Sequence, residues 1–461
     1  MLRNMTNPLR NTATARLSAL ANQLVPTSQP IVASNTLSYQ PATFPTNSSF
    51  SHPPQRYQQH NQQQHPSRSY STMSQANQAA HPLTMIPGPI EFDDEVLAAM
   101  SHPAVPHTSP TFIKIFQESL QLLRKLFFST DPNAQPFILA GSGTIGWDVV
   151  GANLIEAGDA ALVLNTGYFS DSFADALEVY GAKVDNLKGP QIGSKPSLEQ
   201  IEAALKAKTY KIITITHVDT STGVLSDVEA ISKLVKSVSP QTLVVVDGVC
   251  SVAVEPIKFD DWKVDFVLTG SQKGLATPSG LSVLFASAQA LDVVKNRKSP
   301  SGSYFASIPR WLPIMQAYES GKGAYFATPA VQNVYALLAS LRQFATSSEQ
   351  LEERFAKHAA TSDYVKDTLA KAGLKTVSVD RESSAHGMTA VYLPEGISNA
   401  DLLPLVLKKN VALAGGIHKE IVSKYFRVGH MGISATTPSL GHIDTALNAI
   451  LEALKELGYT Y

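Results

Sequence analysis

Cysteine is nearly absent: Cys250 is the only one in 461 residues. No intramolecular disulfide can close, and neither a cysteine-rich zinc site nor an iron–sulfur cluster can be assembled. A reducing compartment suits such a chain. Long apolar runs are also missing, since no uncharged stretch approaches the roughly 20 residues of a membrane-spanning helix. The twelve histidines never show the His-Glu-x-x-His spacing of a zinc hydrolase, so no metal is expected. His60 and His65, like His102 and His107, read as solvated loop residues. Acids are missing from a whole region: none occurs before Glu91.

Strong charges in that region are confined to Arg3, Arg10, Arg16, Arg56 and Arg68. Removing those five from the 37 basic residues leaves 32 against 38 acids. The body is therefore net negative and lacks the basic excess of a nucleic-acid binder. Residues 1–72 are rich in Ser, Asn, Gln, Pro and Thr, with a low-complexity patch from Gln58 to His65, and cannot build a core. An acid-free, Arg-bearing, hydroxyl-rich leader resembles a mitochondrial transit peptide, which a negative matrix potential draws inward. Residues 7–24 can form an amphipathic helix, with Arg10 and Arg16 polar and Leu9, Leu17, Leu20 and Leu24 apolar. Arg68, Ser69, Tyr70, Ser71 resembles the Arg-x-Tyr-Ser signal of the matrix processing peptidase, which cuts after the tyrosine. The expected location is the mitochondrial matrix, with a second, cytosolic form if synthesis starts at Met73. The ending Gly458, Tyr459, Thr460, Tyr461 lacks a peroxisomal signal of the Ser-Lys-Leu type.

What is present beyond the leader is a foldable body. Hydrophobic residues make up 44% of the chain and charged residues 16%, enough for a substantial core. Short runs rich in Val, Ile and Leu predict strands over 137–140, 161–165, 211–216, 242–247, 265–269 and 281–285. Between them, helical periodicity predicts helices over 111–128, 144–156, 170–180, 198–206 and 227–238. Unpolarised strands alternating with helices predict an α/β fold with a mostly parallel sheet covered on both faces. Such a sheet binds its ligand at the C-terminal strand ends. A long pattern over 329–345 leads into helices near 348–373 and 398–409, strands near 375–380, 388–392 and 424–428, and a closing helix over 440–457. The expected division is a large domain over 73–345 and a small α+β domain over 346–461.

Gly141, Ser142, Gly143, Thr144, Ile145, Gly146 follows a predicted strand and opens a helix. The motif makes an anion cradle: small residues admit close approach, and the helix start offers free N–H groups and hydroxyls. A dinucleotide site would need an acid about 20 positions on, to bind the ribose. Here the next strand ends in Asn165, which favours a cradle for a single phosphate, although a plain strand-to-helix turn has the same letters.

Asp247 ends the run Thr242 to Val246, where a carboxylate against a buried sheet needs a cationic partner. A protonated pyridine nitrogen is one such partner, and capping of the next helix is the plainer alternative. Lys273 stands one strand later, in Gly270, Ser271, Gln272, Lys273, Gly274, a setting that suits an amine forming an imine with a bound aldehyde and then moving a proton. Between the cradle and Asp247 lies the polar loop Thr216 to Gly223.

The order Gly-Ser-Gly-Thr, Thr-His-x-x-x-Ser-Thr-Gly, Val-Val-Asp-x-Val, Gly-Ser-Gln-Lys is similar to the class V pyridoxal-phosphate (PLP) aminotransferases. It resembles their alanine:glyoxylate (serine:pyruvate) group most, over roughly residues 85–460. The resemblance implies a fold-type I enzyme with PLP bound as an imine to Lys273. It implies Asp247 against the pyridinium, Ser142, Gly143, Thr144 and Gln272 around the phosphate, and Thr220 near the ring oxygen. Phe169 stands where the group has a stacking Trp, with Val249 against the opposite ring face. Tyr325 and Thr328 match positions that reach a partner's phosphate across a homodimer interface; a helix-capping Thr before Pro329 also fits. Arg427 aligns with the arginine that clamps the substrate carboxylate. Gly88, in Pro87, Gly88, Pro89, matches a loop whose backbone touches substrate.

The implied reaction is a ping-pong transfer of an amino group from a small amino acid, alanine or serine, to a 2-oxoacid, glyoxylate or pyruvate. Phosphoserine and aminoethylphosphonate transaminases often carry His-Arg-Ser early in the chain, whereas His107, Thr108, Ser109 lacks the Arg. A cysteine desulfurase needs a nucleophilic loop Cys, whereas Cys250 sits in an apolar run and reads as structural. A nicotinamide-dependent oxidoreductase is the alternative that the glycine motif alone would suggest.

Overall fold

The computed structural model describes residues 78–461. The leader, its 7–24 helix, the Arg68–Ser71 tetrapeptide and Met73 lie outside the described residues.

In chain order the strands are β1 (Leu83–Thr84), β2 (Gln135–Ala140), β3 (Ala160–Asn165), β4 (Lys183–Lys188), β5 (Ile212–Thr216), β6 (Val218–Asp219), β7 (Val224–Leu225), β8 (Leu243–Asp247), β9 (Phe266–Gly270), β10 (Leu281–Ala286), β11 (Met388–Tyr392), β12 (Val411–Ala412), β13 (Ala414–Gly415) and β14 (Tyr425–Gly429). The helices are α1 (Asp94–Met100), α2 (Pro110–Leu126), α3 (Ile145–Leu154), α4 (Tyr168–Val179), α5 (Leu198–Ala207), α6 (Val228–Val238), α7 (Ala288–Lys295), α8 (Ile308–Glu319), α9 (Val331–Phe344), α10 (Ser348–Lys371), α11 (Asn399–Lys408), α12 (Ile433–Thr436) and α13 (His442–Glu456).

Seven strands form one sheet in the order β2-β10-β9-β8-β5-β3-β4. All its neighbours pair in parallel except the two pairs made by β10, which is antiparallel to β2 and to β9. The apolar runs explain this: every residue of β5, β8, β9 and β10 is buried, as a sheet covered on both faces requires. At the edge, β4 (Lys-Val-Asp-Asn-Leu-Lys) is partly exposed and charged, which guards it against pairing with another chain. Because its charges break any apolar run, the sequence pattern does not announce it.

The second sheet, β11-β14-β13, is antiparallel and puts Arg427 opposite Ala390 on one side and Ala414 on the other. β1 pairs in parallel with β12, tying the start of the described chain to its last third. Residues 375–380, expected as a strand, form none. Thr376 makes an isolated bridge to Val391, and the segment divides its hydrogen bonds: Val377 N donates to Ala390 O and Val379 N to Gly193 O. α8 was not foreseen, since it contains Pro309 and Pro313.

α10 enters two cores. Its Leu351 and Phe355 pack in the cluster around the large sheet, while Val365 and Leu369 pack with Val391, Phe426 and Leu447 beside the small one. A third cluster, including Cys250, Val254, Met388 and Tyr425, fills the seam between the sheets.

Candidate active site

The strand ends open onto a cavity of about 230 Å³. Gly88, Ser142, Gly143, Thr144, Phe169, Thr220, Asp247, Val249, Gln272 and Lys273 all line it. Residues far apart in sequence thus meet because β2, β5, β8 and β9 end on one side of the sheet.

The turn after β2 leads into α3, whose first residues follow Thr144 without any side-chain cap. The N–H groups of Ile145, Gly146 and Trp147 bond to the carbonyls of Ser142, Gly143 and Thr144, so the turn offers the cavity rim the positive end of the helix and the groups of Ser142 to Thr144 themselves. Gly143 is buried against Val249, and a Cβ there would fall 2.6 Å from Val249 Cγ2. Only glycine lets this turn lie so close to the loop behind β8.

Asp247 is buried at the end of β8. Trp147 Nε1, on α3, donates to its Oδ2 at 2.8 Å, and Val249 N donates to its Oδ1 at 3.0 Å. Burial nevertheless pushes the carboxyl up to about 6, helped by the nearby Asp219; the two hydrogen bonds and the charge of Lys273 pull the other way. A carboxylate held this way gains from a cation placed beside it.

Lys273 leaves the turn after β9, and its Nζ donates to Pro87 O. Burial lowers its proton affinity, which favours the neutral, nucleophilic amine. Gly88 lies against it with φ 113°, and a Cβ there would stand 2.7 Å from Nζ. The backbone of this loop is therefore the wall that Lys273 faces. Gln272 Oε1 is buried without a hydrogen-bond partner.

Thr220 sits on the loop between β6 and β7, which Asp219 organises. The buried Asp219 accepts from Ser221 N and Oγ at 3.0 and 2.6 Å, and from Ser170 N and Oγ at 3.2 and 3.1 Å. One carboxylate thus joins the Thr220 loop to the first turn of α4, where Phe169 lies.

Arg427 approaches from β14. Its Nε donates to Gly415 O at 2.8 Å and its Nη1 to Thr220 O at 3.4 Å, so it is fixed beside the Thr220 loop. Tyr325 and Thr328 do not join the cavity. Both are exposed, Tyr325 at 63%, and the Tyr325 ring packs 5.1 Å from His107.

Trp147 and Cys250 line the cavity without having been singled out for it. For Trp147 the letters read as one more apolar residue on a helix, and only the rotation of α3 aims its N–H at Asp247. Cys250 packs in the seam and its thiol is pushed up by burial, which suits a wall group rather than a nucleophile.

The family described as aminotransferase class-V matches residues 94–442. The chain is 44% identical over 381 residues to alanine–glyoxylate aminotransferase 1 of Saccharomyces cerevisiae, covering 80% of this chain and 97% of that one. Over 371 residues it is 30% identical to serine–glyoxylate aminotransferase of Methylorubrum extorquens, covering 80% and 90%. Among solved structures it resembles the alanine–glyoxylate aminotransferase of Nostoc sp., with a TM-score of 0.75, 28% identity and coverage of 82% and 96%.

Proposed function

The chain belongs to the class-V aminotransferases and is a PLP-dependent transaminase; from that premise we propose that it moves the amino group of alanine or serine to glyoxylate by a ping-pong mechanism. The observation that carries the reading is the convergence of Lys273, Asp247 and the α3 turn on one cavity.

The residues present fit the cofactor. Asp247 is a buried carboxylate that forms no salt bridge among the described residues, and the Ser142 and Thr144 hydroxyls and the Gln272 amide line the same cavity as possible donors to an anion. Ser142, Gly143 and Thr144 would hold the phosphate at the start of α3, with Gln272 beside them. Phe169 and Val249 would enclose the ring, and Thr220 would reach its oxygen. When bound, PLP supplies an electron-withdrawing pyridinium ring that stabilises negative charge at the substrate's α-carbon.

The chain's own groups do the rest. Asp247, oriented by the Trp147 N–H, would pair with the ring nitrogen and favour its protonated form. Lys273 Nζ would anchor the cofactor and, as a free amine, would take the proton from the substrate α-carbon. Arg427 has N–H groups beyond the two that bind carbonyls, and these clamp the substrate carboxylate. The Gly88 backbone bounds the space beside the reacting amine.

Two further assignments belong to this reading. Exposed Tyr325 and Thr328 serve the phosphate site of a second copy, making the active unit a homodimer. The acid-free, Arg-bearing leader directs the chain to the mitochondrial matrix, with synthesis from Met73 giving a cytosolic form. No helix among the described residues is long and apolar enough to cross a membrane.

The test is an assay of glycine formation from glyoxylate with alanine, serine and phosphoserine as donors, beside a Lys273→Ala control. Alanine or serine should be the best donor and the control should be inactive. A preference for phosphoserine, or an active control, would overturn the assignment.

A further inference from the structure

Arg354, on α10, is only 8% exposed, and burial pushes its guanidinium down to about 9, still charged at neutral pH. No carboxylate forms an ion pair with it among the described residues. Taking a charge out of water without a counter-charge is costly, so its remaining contacts must be well made. They are two carbonyls and a ring. Nε donates to Ala253 O at 2.8 Å, Nη2 donates to Gly274 O at 2.9 Å, and the guanidinium carbon lies 4.0 Å from the Phe344 ring centroid.

The two carbonyls belong to the two loops that carry the chemistry. Ala253 closes the turn that follows Asp247 and Val249; Gly274 is the residue after Lys273. Ala253 adopts φ 64°, a left-handed backbone that a side chain resists unless its surroundings impose it. The Lys273 turn is pinned from a second side as well, since Ser340 Oγ donates to Leu275 O at 2.7 Å and Ala276 N to Lys273 O at 2.8 Å. One turn further along α10, His358 Nδ1 bonds to Arg354 O at 2.8 Å, and Gly432 N donates to His358 Nε2 at 3.1 Å. Gly432 follows the strand that carries Arg427, so the same helix touches all three loops.

We infer that Arg354 is a positioning residue for Lys273: its guanidinium clasps the turn behind Lys273 to the turn behind Asp247 and so sets the amine relative to the carboxylate. The inference rests on Lys273 being the amine that anchors the cofactor. A lysine at 354 reproduces the clasp only in part, because a single ammonium keeps the charge but lacks the planar fork that spans two carbonyls.

The holoenzyme tests this through Arg354→Met and Arg354→Lys. Three measurements are made on each: borohydride reduction followed by peptide mapping, pH titration of the visible absorbance, and kcat and KM for alanine with glyoxylate. Arg354→Met should still be labelled at Lys273, lose roughly 10- to 100-fold in kcat with little change in KM, and shift the titration midpoint by about half a unit or more. Arg354→Lys should recover part of both effects. Ile450→Val, a packing control in the core beside the small sheet, should lower Tm without moving the midpoint. A wild-type midpoint and kcat in Arg354→Met would overturn the inference, whatever its Tm. If Arg354→Met does not fold, Arg354→Lys decides by the same two readouts. Labelling of wild-type protein at a residue other than Lys273 would overturn the parent reading, and this one with it.

Discussion

In the seven-stranded sheet, β5, β8 and β9 are buried along their whole length, so functional groups emerge only where strands stop: Thr216, Asp247 and, just past Gly270, Lys273. In the three-stranded sheet, Arg427 leaves from the middle of β14, between buried Phe426 and Val428. A group at a strand end is placed by the loop around it and tolerates small shifts of the strand. A group in mid-strand depends on register first, since a slip of one residue would turn it to the other face, and Arg427 adds hydrogen bonds to Gly415 O and Thr220 O that hold its tip. The large sheet thus fixes the proposed reacting groups through turns and their hydrogen bonds, while the small sheet sets the proposed carboxylate clamp by its pairing with Ala390 and Ala414.

Substitutions on the two sheets sharpen that contrast. Asp247→Asn removes a strand-end charge and should lower kcat by roughly 10²-fold or more, as for loss of a preorganised electrostatic group. The same change should stabilise the cofactor-free protein at neutral pH. The folded value of about 6 lies above the ordinary 3.8, so Asp247's favourable contribution is complete below pH 3.8 and is lost as pH rises through 6. About two pKa units correspond to ~3 kcal/mol at pH 7. Melting curves at pH 4 and pH 7 check this: the variant's advantage should appear only at pH 7, and equal gains at both would contradict the assigned cause.

Arg427→Gln removes the mid-strand clamp and should act mainly on KM. Loss of charge-assisted bonds worth about 2 kcal/mol lowers kcat/KM roughly thirtyfold, with kcat changed far less. A variant that lost kcat at constant KM would mean that Arg427 acts on the reacting atoms instead of the carboxylate, which would erase the distinction between the two sheets. The smallest effect is expected from Phe169→Trp. A larger ring face should tighten PLP by ~0.5 kcal/mol, about a twofold change in dissociation constant measured by fluorescence.

The sequence was most informative where burial and position act together. Asp247 and Lys273 could be placed because uninterrupted runs of Val, Ile and Leu mark covered strands, and a polar residue at the end of such a run needs a reason. Trp147 and Asp219 were not legible in that way. Trp147 sits in the apolar text of α3 and Asp219 in a plain polar loop; their parts depend on rotation and on partners distant in sequence, Asp247 for the one and Ser170 for the other. Arg354 was hidden for a related reason. A charged letter early in a charged helix looks like solvated surface, and only the packing of α10 into the large core buries it.

The pairing of β1 with β12 has a consequence for the order in which the molecule can be completed. Pro87, whose carbonyl receives the Lys273 amine, is held in place by residues made far later: Leu83 N donates to Asn410 O, Met85 N to Ala412 O, and Gly429 N to Met85 O. A ribosome releases the whole seven-stranded sheet before any of those anchors appears. The growing chain therefore holds every strand of the large sheet, but none of the anchors of the Pro87 loop, until its last third emerges.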